Sequence, residues 1–214
     1  MTAAPFIALW CGSSARAGAV HGAFVQEPHT AALRAEIGMA SALPTVLVGG
    51  SAGLLPNVDL GAHAVTHAGL AHAFGATVRY RSENEHLGAG LTVDESLYTV
   101  EELAGIQSLR SPFGSRFALT PQLLAATGSP DGVQFGWTVG AEVGLIRTDE
   151  DDAGYAVREV APNLDHLWGE VAASWPREHG AFYVRVRALI PIASEFHLLG
   201  YVPWIAVGRS WGVH

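Results

Sequence analysis

Along most of this chain, apolar and polar residues alternate with a period of two. The clearest stretch is VQFGWTVGAEVGLIR, residues 133–147. Val133, Phe135, Trp137, Val139, Ala141, Val143 and Leu145 take every second position, and Gln134, Gly136, Thr138, Gly140, Glu142 and Gly144 fill the gaps. In a strand, successive side chains point to opposite faces, so this pattern gives one broad apolar face and one small, polar face. The same rhythm recurs. Leu33, Ala35, Ile37 and Met39 oppose Arg34, Glu36 and Gly38; Phe74, Ala76, Val78 and Tyr80 oppose Gly75, Thr77 and Arg79. Leu87, Ala89, Leu91 and Val93 oppose Gly88, Gly90, Thr92 and Asp94. Phe117, Leu119 and Leu123 oppose Arg116, Thr120 and Gln122. Leu167, Val171, Ala173 and Trp175 oppose His166, Trp168, Glu170 and Ser174. Phe182, Val184 and Val186 oppose Tyr183, Arg185 and Arg187. Residues 45–52 and 58–67 alternate more weakly, and 198–211 reads as a last strand with no clear facing.

The connections are asymmetric. SENE (82–85), TGSPDG (127–132) and PREHG (176–180) carry turn-forming residues, whereas 99–115 and 149–163 read as long loops. Numbered along the chain, the long loops fall at one end of the strands and these tight turns at the other. The strands from residue 58 onward number eight, and the segments 30–41 and 45–52 make ten. We take ten, because Arg34 and Glu36 lie opposite a clean apolar face, with eight as the alternative.

The apolar face needs a partner. In a soluble sandwich or lipocalin it points inward and the polar face meets water. Here the polar face carries Gly, Ala and Thr with isolated Arg or Glu, a composition suited to a crowded lumen. The apolar face runs along ten to fifteen residues, and a tilted transmembrane strand needs roughly 9–11. The expected partner is therefore lipid, with Phe135, Trp137, Val139, Val143, Leu145, Trp175 and Phe182 facing it. Tyr80, Phe135, Trp137, Trp175 and Phe182 lie beside the short turns, as an interfacial aromatic girdle would, and Tyr98 and Phe117 flank the first long loop. The opposite face should carry a polar network of Arg34, Glu36, Arg79, Asp94, Arg116, Glu142, Glu170, Arg185 and Arg187. Charges enclosed in a lumen must pair or meet water.

This pattern resembles the small bacterial outer-membrane β-barrels of eight to twelve strands, over about residues 30–214. The resemblance implies an all-β, antiparallel, up-and-down transmembrane barrel in the bacterial outer membrane, with a structural, surface-interaction or narrow-pore role. Members of that group end on a terminal aromatic, whereas here Trp211 precedes His214 by three residues. The alternative reading is a soluble secreted barrel binding a small apolar ligand.

Composition narrows the choices. The chain has 214 residues, charged residues make up only 15%, and the net charge is −8. All basic residues are Arg and form no basic stripe, so nucleic acid is not an expected partner. AAPFIALWC (3–11), followed by two A-x-A sites, has the layout of a secretory signal peptide over residues 1–19, though without a positive n-region. Residues 20–214 would then form one barrel domain with no cysteine, and oligomeric state is left open.

Other motifs carry less. GGSAG (49–53) fits G-x-S-x-G, but Pro56 blocks the helix a nucleophile elbow at Ser51 requires. DEDDAG (149–154) lacks the ligand pattern of an EF-hand, which leaves loose divalent-cation binding at 149–152 as its one candidate role. His63 and His67 lie about 13 Å apart along a strand, too far to share one ion; His86 and His166 fall on the lumen face. No metal, cofactor or catalytic residue is expected. A lipid-modifying barrel enzyme would need a Ser/His/acid cluster near one rim, which the sequence does not place. TVEELAGIQSL (99–109) is the one helical candidate, capped by Thr99 and Glu102.

Overall fold

A computed structural model describes residues 22, 24–40, 43–68, 71–98, 114–128, 132–150, 156–191 and 203–213. They form ten antiparallel strands: β1 (Ala31–Ala40), β2 (Leu43–Leu55), β3 (Val58–His67), β4 (Ala71–Arg81), β5 (Leu87–Tyr98), β6 (Gly114–Gly128), β7 (Gln134–Glu150), β8 (Ala156–Arg177), β9 (Gly180–Pro191) and β10 (Trp204–Val213). Each strand pairs with its chain neighbours, and β1 pairs with β10, so the sheet closes into a barrel. Closure gives every strand a partner on both sides and removes the free edge strand that an open sheet would leave. The first two segments are therefore barrel strands, and ten is the count.

Because the strand number is even, both ends of the barrel chain meet on one side. Ala31 stands opposite Val213. The turns at 56–57, 82–86 and 178–179 lie at this turn end. The connections at 99–113, 151–155 and 192–203 lie at the opposite, loop end.

Several boundaries differ from the periodicity. The loop expected over 149–163 is mostly strand: β7 runs to Glu150 and β8 starts at Ala156. The two strands stay paired from Glu150↔Ala156 to Arg147↔Glu159, past the point where β8 leaves β9 at His166. Register shifts between Glu142 and Val143 and between Gly144 and Ile146 break the alternation while pairing continues, and this hid the strand. The described part of the last strand runs from Trp204 to Val213, and residues 198–202 of the expected strand lie outside the described residues. GGSAG lies wholly within β2, with Ser51 opposite Ala32 and Gly61, so no turn exists there to present a nucleophile. The segment 1–19, the helical candidate 99–109 and Asp151 and Asp152 lie outside the described residues.

Residues 24–30 fold into the barrel at the turn end. Pro28 bridges Gly53, and Gly53 N–H donates to the Thr30 carbonyl at 2.9 Å. Gln26 N–H donates to Asp59 at 3.1 Å, and Phe24 packs on Leu124 and Ala126 of the far wall. Gly22 approaches that wall so closely that a Cβ would lie 2.7 Å from Gly136 Cα, and its φ of 61° favours glycine independently.

Candidate functional site in the barrel lumen

The outer surface and the lumen differ in chemistry as the alternation requires. Phe135, Trp137, Val139, Trp175 and Phe182 are exposed on the outside, in a belt with Leu33, Ile37, Val46, Val48, Leu60, Phe74, Val78, Leu91, Val171, Val186, Ile205 and Val207. Tyr80 and Trp211 join Phe135, Trp137, Trp175 and Phe182 near the turn end. The Arg209 guanidinium lies 5.1 Å over the Phe182 ring and 5.5 Å over Trp211. At the loop end Phe117 lies between the inward Arg116 and Ala118, and the Tyr98 side chain is outside the described residues. Val143 lies on the outer phase, between Glu142 and Gly144. Leu145 does not continue it: Phe117 pairs with Ile146 and Ala118 with Gly144, so Leu145 is the extra residue of a bulge and Ile146 takes the position opposite Phe117.

Inside, Arg34, Glu36, Arg79, Asp94, Arg116, Glu142, Glu170, Arg185 and Arg187 all point toward the barrel axis, and pairing gathers most of them into three groups. The largest spans the closure of the sheet. Arg185, 3% exposed, donates to Glu36 from β1 and to Glu170 from β8, the latter at 2.6 Å. Arg187 reaches Glu170 at 2.8 Å, and the Tyr183 hydroxyl donates to Glu36 at 3.2 Å. The two guanidinium groups stack on indoles, Arg185 at 4.2 Å from the Trp204 ring centre and Arg187 at 4.1 Å from Trp168.

The second group lies toward the loop end. Arg116 holds Glu142 at 2.5 Å and also Asp165, and His166 Nε2 lies 3.0 Å from Glu142. Asp165 was not foreseen as a lumen residue. Glu142 pairs with His166 and Val143 with Leu164, so Asp165 is a bulge residue freed from the alternation and turned toward Arg116. The third group lies at the turn end, where fully buried Asp59 takes Arg79 at 2.9 Å and the Gln26 N–H. Asp59 was missed because its strand alternates through Ala and His. Between the groups, His63 Nε2 lies 2.9 Å from Asp94, and Gln122, Thr92 and Thr77 form a hydrogen-bonded chain with both contacts at 2.8 Å.

Glycines make room for these large side chains. A Cβ on Gly140 would come 2.5–2.8 Å from the Trp168 ring, and the Tyr183 ring covers Gly208. The lumen holds a cavity of about 230 Å³, lined among others by Arg34, His63, Thr92, Thr138 and Trp204. His67 bonds Thr45 at 2.9 Å and packs edge-on against Trp204. Among the described residues, no group of three or more His, Cys, Asp or Glu is placed to hold a metal ion. The arrangement defines a closed ten-stranded barrel with an apolar outer wall and an ion-paired interior.

No family model matches the chain, and no curated protein matches it in sequence. Among solved structures, the translocator domain of the autotransporter NalP from Neisseria meningitidis is similar at 11% identity and a TM-score of 0.35, over 86% of each chain. Likeness at this level carries no argument about function.

Proposed function

We propose that this chain is an integral outer-membrane β-barrel with a structural or surface-interaction role, its lumen plugged rather than conducting, and with no catalytic activity of its own. One observation carries the membrane reading: the belt of large apolar side chains runs around the outside of a closed barrel, while most charges of the spanning strands turn inward and the outward Glu95 and Arg209 lie toward the strand ends. A water-exposed barrel would need the opposite arrangement, and a contiguous apolar surface of this extent marks a lipid or protein contact. The plugged lumen is supported by the Arg185 network projecting from the β8, β9 and β1 wall and by residues 24–30 filling the turn end. Small barrels of this size are commonly filled by side chains.

Membrane extraction tests the reading. The protein should stay with the membrane through carbonate washing and leave it only in detergent. In a planar bilayer it should give no steady current. Release by carbonate would refute membrane integration, and a stable ohmic conductance would refute the plug.

A further inference from the structure

Arg34 stands apart from the other lumen arginines. Arg79, Arg116, Arg185 and Arg187 each hold a carboxylate. No hydrogen bond or ion pair joins Arg34 to another described residue. Its side chain crosses Gly49, where a Cβ would lie 3.2 Å from Nε, and it lines the lumen cavity. Glu36 attracts Arg34 without contacting it, and the carboxylates nearby have other neighbours. Glu36, two residues along the same strand, is held by Arg185 and Tyr183; Asp59 is held by Arg79 and Gln26; Asp94 lies against His63. Arg79, Arg185 and Arg187 line the same cavity, and so do Asp94, Glu142 and Glu170.

A guanidinium turned into the lumen without a contacting carboxylate is costly. A cavity of about 230 Å³ has room for a small anion with water around it. We propose that Arg34 forms an anion-binding site in the lumen for a halide or a single carboxylate or phosphate group. Larger polyanions are excluded, because Glu36, Asp59, Asp94, Glu142, Asp165 and Glu170 also turn into the lumen. The site stands whether or not the outer wall meets lipid.

Chlorine NMR linewidth on the full chain, folded in a non-ionic detergent, reads the site directly with chloride as probe. The wild type should give a saturable excess linewidth that acetate or inorganic phosphate displaces. Arg34→Gln should weaken chloride binding by at least about tenfold, since it removes a charge-assisted contact. Arg34→Lys should retain part of it, and Arg209→Gln, on the outer wall, should retain all of it. Absence of a saturable component in the wild type overturns the proposal without any variant. Equal broadening by folded Arg34→Gln overturns it as well.

Discussion

Replacing Val139 by Arg puts a charge where the outer wall is most remote from water. Val139 is 59% exposed and lies four residues beyond Phe135, which marks the aromatic zone at the turn end. With a rise of about 3.4 Å per residue and a tilt of about 40°, each residue adds about 2.6 Å of height. The apolar band of an outer-membrane barrel is about 25 Å tall, so its midplane lies about 12.5 Å above Phe135, and Val139 sits within about 2 Å of it. Arg at that depth should cost roughly 2–4 kcal/mol. The internal control is Val160, 70% exposed on the extension of β8 and paired with Ile146. By the same arithmetic it lies about 29 Å above Phe135, outside the band, and Val160→Arg should cost about 0–1 kcal/mol. Equilibrium unfolding in urea, from phospholipid vesicles, measures both. In water, an Arg at either exposed position would change stability by only about 0.5 kcal/mol. Equal, small effects at Val139 and Val160 would refute the lipid assignment.

Three further outcomes follow from the lumen and the two ends. Arg185→Gln leaves Glu36 and Glu170 without their shared cation and should destabilise the barrel by about 3–5 kcal/mol in denaturant titration, whereas a loss under about 1 kcal/mol would mean water already screens the network. Gly140→Ala drives a methyl into Trp168, pinned under Arg187, and should cost about 1–3 kcal/mol; Gly169→Ala meets nothing within 4 Å and should stay within about 0.5 kcal/mol, so equal costs would contradict the packing. Trypsin added to intact cells should cut after Arg110, between β5 and β6, and spare Arg81 and Arg177 at the turn end, and the reverse pattern would invert the topology.

The alternation made much of this legible, and where it failed the cause is local. A period of two fixes which face a residue takes, so the inward set from Arg34 to Arg187 and the outward set from Phe135 to Phe182 could be read without coordinates. It does not fix register or closure. That Arg185 sits between Glu36 and Glu170 depends on β1 meeting β10, which brings Glu36 to Arg185, 149 positions along the chain. Bulges defeat the period outright: Leu145 leaves the outer phase and Asp165 leaves its expected face, because an extra residue shifts everything beyond it. The same bulges made the extended β7–β8 pair look like a loop. Residues 24–30 carry no period at all, since they are held by single contacts to Gly53, Asp59 and the β6 wall.

The contact between the outer wall and lipid can be measured residue by residue. In a Cys11→Ser background, a nitroxide placed singly at positions 135 to 141 of β7 and reconstituted in vesicles reports collision with oxygen, enriched in the hydrocarbon, and with a water-soluble nickel chelate. Labels at 135, 137, 139 and 141 should collide preferentially with oxygen, most strongly at 139, while those at 136, 138 and 140 should be shielded from it. Preferential nickel collision at 137 and 139 would show that the apolar face meets water, and the membrane assignment would fall.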